Sequence, residues 1–200
     1  MKKFDIKNIY DEVIFSGEYE SLKECVEDAV RKKVDLKDAD LGLSDFDNID
    51  LSFASFSSSN LNGVDFRFSN LTGADFIWAH LIGAILNCAN LKEADFTNSF
   101  LISTDFDGAN LTGANLRYSK IKRSNFISAN LRGANLVGAN LTESNFNGAN
   151  LQGACLRNVN FNGTTLQFSD LSKSDLTGAN FTGADLKGAY FGDIDIDKYR

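Results

Sequence analysis

The sequence predicts an all-β repeat solenoid, a square coil of 20 residues per turn wound about eight times. Three observations predict it. From Leu36 to Ile196 every fifth residue is Leu, Phe or Ile, 33 consecutive positions without a slip of register. Two residues before each stands a small or β-branched residue, from Val34 and Ala39 through to Ile194. Two residues after it glycine recurs, as at Gly63, Gly73, Gly83, Gly108, Gly113 and Gly133.

A period of five matches neither the 3.6 of an amphipathic helix nor the 2 of a long strand. It suits a short extended segment followed by a turn. Residues two apart on an extended chain point to the same side, so the large and small positions together fill an interior. The glycine supplies the positive φ that a type II turn needs at its third position. Four such segments close a square, and residues 34–198 make about eight squares, stacked ~4.8 Å apart into a rod about 40 Å long. Leucine-rich repeats also run to 20 or more residues, but their leucines are unevenly spaced, whereas here all four quarters are alike. Proline is absent. Usage near 5% would supply roughly ten, and each would remove an N–H from the ladder between coils.

Residues 1–33 precede the repeat. Phe4 and Ile6, then Val13 and Phe15, alternate with polar neighbours and predict a β-hairpin. Ser21-Leu22-Lys23-Glu24 reads as a capping box opening a helix. Leu22, Cys25, Val26, Ala29 and Val30 then form one apolar stripe. A ββα cap over the first coil is the reading, since a bare edge invites pairing with other chains; a separate recognition domain is the alternative. The division is therefore a cap at 1–33, a coil at 34–198 and a tail at 199–200.

The formal charge of −7 disfavours nucleic acid and anionic membrane as direct partners. Its distribution is uneven. Residues 34–107 carry twelve acids against Lys37, Arg67 and Lys92, whereas no acid stands between Asp107 and Glu143. That second stretch holds Arg117, Lys120, Lys122, Arg123 and Arg132, a candidate basic band for phosphate or for an acidic partner, or simply a solvated face. Cys25, Cys88 and Cys155 form no close pair and no metal-type spacing, which predicts free thiols in a reducing compartment. The first residues lack an apolar signal region and no stretch approaches 18 apolar residues, so a cytoplasmic location without membrane contact is expected.

Residues 20 apart should stack. His80 then lies beside Phe100 and Ile82 beside Ile102, with Ile77 and Trp78 at the preceding corner. These six side chains are large and apolar or aromatic where the repeat requires none. They form a candidate partner patch, the bland reading being scattered apolars on a thin rod. Asn90, Asn110, Asn130 and Asn150 should stack as a structural amide ladder. At the other end Asp193, Asp195 and Asp197 point outward, and no helical lid follows. Tyr190, Phe191, Ile194, Ile196 and Tyr199 are therefore a candidate surface for a twofold homodimer.

Catalysis finds no foothold. His80 is the single histidine, no phosphate-cradling loop occurs, and the carboxylates line a convex rod filled by Leu and Phe. Neither a cofactor nor a metal is expected.

Runs such as Ala-Asn-Leu-Arg-Gly (129–133), Ala-Asn-Leu-Val-Gly (134–138), Ala-Asn-Leu-Thr-Glu (139–143) and Ala-Asp-Leu-Lys-Gly (184–188) resemble the pentapeptide repeat family over more than four-fifths of the chain. The resemblance implies a right-handed quadrilateral β-helix and a non-enzymatic interaction scaffold. Members of that family include quinolone-resistance proteins, acidic dimeric rods that resemble DNA and engage DNA gyrase. By that resemblance Asp45, Asp65 and Asp105, with Asp35, Asp75 and Asp95 on another face, become a candidate DNA-mimic surface. The basic band interrupts it, and B-DNA presents a charge every ~1.7 Å. The loop insertions of several such resistance proteins are missing as well.

Overall fold

In the computed structural model of the chain, residues 1–199 are described, without the side chain of Tyr199. The elements before the coil are β1 (Lys2–Lys7), β2 (Val13–Tyr19) and α1 (Leu22–Arg31). From 36 onward the backbone winds as a square coil. Parallel bridges join residues 20 apart, from Asp40↔Asn60 to Asp170↔Tyr190.

Each side of the square is one five-residue unit. The slot carbonyl accepts the N–H three residues on, as Leu36 does from Ala39 at 3.1 Å, which closes a β-turn. Slot and corner N–H groups donate forward to the next coil (Leu41 to Asn60 O, Leu43 to Asn62 O), and the bridge N–H donates back (Asn60 to Ala39 O). Every interior coil is thus held from both directions. All 31 corner positions from Asp38 to Gly188 have positive φ, the type II signature, yet only 13 of them are glycine. The others include Phe53, Phe68, Trp78 and Tyr118. An L-residue there costs roughly 1 kcal/mol, so the ladder and the core impose the geometry whether or not the local residue prefers it.

The slot side chains are buried from Leu36 to Phe181. Phenylalanines stack in columns up the lumen: Phe56, Phe76 and Phe96 on one side, Phe106, Phe126 and Phe146 on the side opposite. Where a buried small slot is Ser or Thr, its hydroxyl is consumed internally. Ser59 Oγ accepts from Ala39 N (3.1 Å) and donates to Leu36 O (2.9 Å). The amide ladder is shorter than expected. Amide-to-amide bonds join Asn70, Asn90 and Asn110 but not Asn130 and Asn150, although the side-chain oxygens of all five accept the N–H two residues on.

The first 33 residues close the N-terminal end. β1 pairs antiparallel with β2, and the chain after β1 bonds to the first coil through Ile9 N to Asp38 O and Asp40 N to Lys7 O, both 2.8 Å. Ile6 and the α1 residues Cys25, Val26 and Ala29 join the buried core. Ser21 caps α1 by accepting from Glu24 N, while the Glu24 carboxylate takes the N–H of Glu20. Only half of a capping box is formed.

Asp28, on α1, is a buried carboxylate that the apolar stripe did not foretell. It accepts from Tyr19 Oη (2.5 Å), from Lys32 Nζ (2.7 Å) and from Arg31. The hydrogen bond from Lys32, then those from Tyr19 and Arg31, hold its carboxyl well below the usual carboxylate range. The bond to Asp28, with burial, pushes the Tyr19 phenol up to about 12. The signs follow. A depressed Asp28 stabilises the cap above the ordinary carboxylate range, and that contribution is lost as pH falls below it. A raised Tyr19 stabilises below its ordinary value near 10, and the contribution is lost as pH rises toward 12. Phenolate absorbance should therefore show one of the five tyrosines titrating late, and Asp28→Asn should bring it back toward 10. An unchanged late titration in that variant would remove Asp28 as the cause.

At the other end the regular corners stop at Gly188, and the last turn of chain is a 3-10 helix, Ile196–Tyr199. Among the described residues no helix is long and apolar enough to cross a membrane.

Candidate functional site

The side of the square built on Asp40, Asn60, His80, Phe100 and Lys120 brings together the six residues of the candidate apolar patch and four of the candidate basic band. The five residues of the row come one from each of five successive coils. The His80 imidazole stacks on the Phe100 ring, centroids 4.5 Å apart at 17°. On the next coil Lys120 Nζ sits 4.4 Å from the centre of the same ring. Type II turns flank this row. They carry Ile77, Trp78, Arg117 and Tyr118 before it, and Ile82, Ile102, Lys122 and Arg123 after it. The apolar patch and the basic stretch therefore form one continuous surface.

The basic band needs a correction. Arg117, Lys120, Lys122 and Arg123 share this surface, but Arg132 does not. It lies ten residues, half a turn, beyond Lys122, at the diagonally opposite corner. Arg123 is paired with Glu143 (3.4 Å), and Arg117 lies over the Tyr118 ring at 5.3 Å. Among the described residues no carboxylate pairs with Arg117, Lys120 or Lys122.

The large apolar side chains exposed at corners are of two kinds. Leu43, Phe53, Tyr118 and Phe168 each lean over a glycine one coil on. A Cβ added at Gly73 would stand 2.7 Å from Phe53, and one at Gly138 would stand 2.6 Å from Tyr118. Covering exposed glycine backbone gives those four a structural use. Phe68 and Trp78 have Cys88 and Asn98 in that place, yet remain 63% and 53% exposed. Trp78 thus carries both an αL penalty and an exposed indole with no such return.

The acidic rows stack as expected, Asp45 on Asp65 and Asp75 on Asp95, with Ile85 separating Asp65 from Asp105 and Ser55 separating Asp35 from Asp75. The two rows occupy opposite sides of the rod. Their carboxylates are largely committed. Arg67 clamps Asp65 through Nε and Nη2 (2.9 and 2.6 Å), and its hydrogen bonds hold that carboxyl low. Asp45, Asp75, Asp95 and Asp105 accept the N–H of their own turns, at Asp47, Ile77, Thr97 and Asp107. Asp35 accepts from Lys37 N and from Ser55 Oγ. Asp105 also takes the amides of Asn87 and Asn125. Such turns favour Asp and Asn for their geometry, so acid here serves the corner first.

At the C-terminal end Tyr190 is exposed, while Phe191, Ile194 and Ile196 are half-buried against the core. The side chain of Tyr199, the remaining member of that candidate surface, lies outside the described residues. Among the described residues no group of His, Cys, Asp and Glu is placed to hold a metal ion. Cys25 is buried, Cys88 exposed at a corner and Cys155 half-buried, all as free thiols.

The sequence model of the family described as pentapeptide repeats matches in eight copies, over residues 32–67, 49–87, 89–126, 124–163 and 160–195. The chain is a pentapeptide repeat protein. Proteins of this family are right-handed quadrilateral β-helices, and that is the coil described above. No curated protein matches this pentapeptide repeat protein significantly. A trypsin-treated variant of QnrB1, a plasmid-mediated fluoroquinolone resistance protein, is similar at 23% identity over 74% of this chain and 78% of that one, with a TM-score of 0.53. At that identity the likeness speaks for the fold alone. HetL, a pentapeptide repeat protein involved in heterocyst differentiation regulation from Nostoc sp. strain PCC 7120, is 28% identical over 77% of this chain and 87% of that one, with a TM-score of 0.27. The pentapeptide repeat protein alr5209 from Nostoc PCC 7120 is 33% identical over 48% of this chain and 80% of that one, with a TM-score of 0.43.

Proposed function

We propose that this chain is a non-enzymatic protein-interaction scaffold, and that its binding surface is the side carrying Ile77, Trp78, His80, Ile82, Phe100 and Ile102. The observation that carries the reading is Trp78, exposed at a corner whose backbone disfavours it and covering no glycine. It stands beside a stacked His80–Phe100 pair. Aromatic anchors in an apolar centre with a charged margin match the anatomy of protein interfaces. The family supports a scaffold in general terms.

The test is a Trp78→Ala, Phe100→Ala double variant. Neither residue is a core residue, so the β signal in circular dichroism should be unchanged, while capture of any bound protein should fall by about tenfold or more, the loss typical of hot-spot truncation. Undiminished capture would remove this side as the site.

A gyrase-directed DNA-mimic role is the second reading, and it rests on the resemblance to quinolone-resistance proteins. The committed carboxylates, the Asp65–Arg67 clamp and the cations on an adjoining side all reduce its support. A supercoiling titration with and without a fluoroquinolone tests it. Protection or inhibition that disappears on neutralising Asp45, Asp65 and Asp105 together would bring it forward.

A further inference from the structure

The side of the rod proposed above as a binding surface changes character from coil to coil, and the order of the changes has a consequence. On the first coil it carries Asp38 and Asp40, and on the second Ser58, Asn60 and Asn62. The third carries Trp78, His80 and Ile82, the fourth Phe100 and Ile102, and the fifth Arg117, Lys120 and Lys122. The series runs acid, polar, apolar, apolar, base. Read backward, its charged ends are complementary about the third coil.

We propose that the occupant of this surface is a second copy of the chain, laid antiparallel against the first about a twofold axis that crosses the third coil. The inference rests on that side being a binding surface. A twofold axis in the interface plane, at right angles to the rod, sends coil n to coil 6−n and leaves lateral position unchanged. Trp78 meets Trp78 and Ile82 meets Ile82 at the axis. Asp40 meets Lys120 of the other copy twice over, and Asp38 lies beside Arg117 and Tyr118. A shallow cleft lined by Ile9, Asp40, Ser58, Asn60, Asn62 and His80 lies on the second coil. Phe100 and Ile102 of the second copy, half-buried on their own rod, come over that cleft. One approach is unfavourable in this register, Lys37 to Arg117, and it falls at the solvated rim, where salt screens it.

The size of the surface sets the strength. Five coils at ~4.8 Å and five extended residues at ~3.3 Å give on the order of 400 Å² per copy. The total of roughly 800 Å² falls below the ~1,200 Å² at which stable specific interfaces begin, in the range of weak, concentration-dependent association. With the charge pairs at its ends, it should also weaken with rising salt. This dimer differs from one through the C-terminal coil, which would not depend on Asp40 or Lys120.

Sedimentation equilibrium on the full chain across the micromolar range tests the proposal. The wild type should dimerise, less so at high salt. Two charge-reversed chains decide the register: Asp38→Lys with Asp40→Lys, and Lys120→Asp with Lys122→Asp. Asp40, Lys120 and Lys122 are exposed and Asp38 is half-buried, so both variants should fold, with circular dichroism as the check. Each alone should self-associate roughly tenfold or more weakly, because like charges then face each other at both ends. An equimolar mixture should recover a heterodimer, since each reversed acid then faces a reversed base and each unreversed base faces an unreversed acid. A wild type that stays monomeric overturns the proposal, as does a dimer indifferent to both variants or a mixture that stays apart. The first result leaves the scaffold reading standing if Trp78→Ala, Phe100→Ala still abolishes capture of another protein. Loss of both effects retires the surface altogether.

Discussion

Replacing Phe126 by alanine should destabilise the rod by roughly 4 kcal/mol, the range for emptying a fully packed aromatic site. Phe126 is fully buried and stacks on Phe106 at 4.6 Å and on Phe146 at 4.5 Å, with nearly parallel rings. The lumen wall is backbone tied to two neighbouring coils, so it cannot collapse inward without breaking ladder bonds, and the cavity should persist. Urea unfolding followed by circular dichroism measures the loss. A value below about 2 kcal/mol would mean that the coil narrows around the gap and that the walls are softer than the bonding implies. Because each coil touches only its neighbours, the loss should also appear as a second transition in which one half of the rod melts before the other.

A proline at Asn110 should cost about 3 kcal/mol or more. The Asn110 N–H donates to the carbonyl of Ala89 on the previous coil at 2.9 Å, and Ala89 is buried. Proline deletes that donor and leaves the carbonyl without a partner in a dry place. Asn110→Ala is the control. It keeps the N–H and loses only the side-chain bonds to Asn90 and Thr112, for an expected cost near 1 kcal/mol. Equal losses in the two variants would show that the side chain, not the ladder, holds this position. The absence of proline from the chain reads as the natural form of the same experiment.

The coil was legible in the sequence because one physical requirement repeats at every side: a large inward residue, a small inward residue and a corner. The corner was only partly legible. Glycine marks 13 of 31 positions, while Phe53 or Arg123 in the left-handed region gives no local sign, since the neighbouring coils rather than the residue choose that backbone. The apolar patch could be assembled by counting in twenties. Summing charge along the sequence joins Arg132 to the basic stretch, but counting in twenties places it at the opposite corner. The Asp28 cluster was hidden for a different reason. Asp28 sits beside the apolar stripe of α1, and its partner Tyr19 belongs to a strand whose approach no repeat dictates. The acidic rows were visible as charge, but their commitment to turn N–H groups was not.

The square coil treats its four sides as equivalent within and distinguishes them only without. Removing or inserting five residues would leave every large and small inward position in register, because the next unit simply takes the vacated side. Everything downstream would nevertheless swing a quarter turn around the rod, carrying its surface residues to a new compass point. A change of 20 would return each to its own side, displaced by one storey. Length in this molecule is thus counted in two denominations, one that rewrites the address of a surface and one that preserves it, and the interior cannot tell them apart.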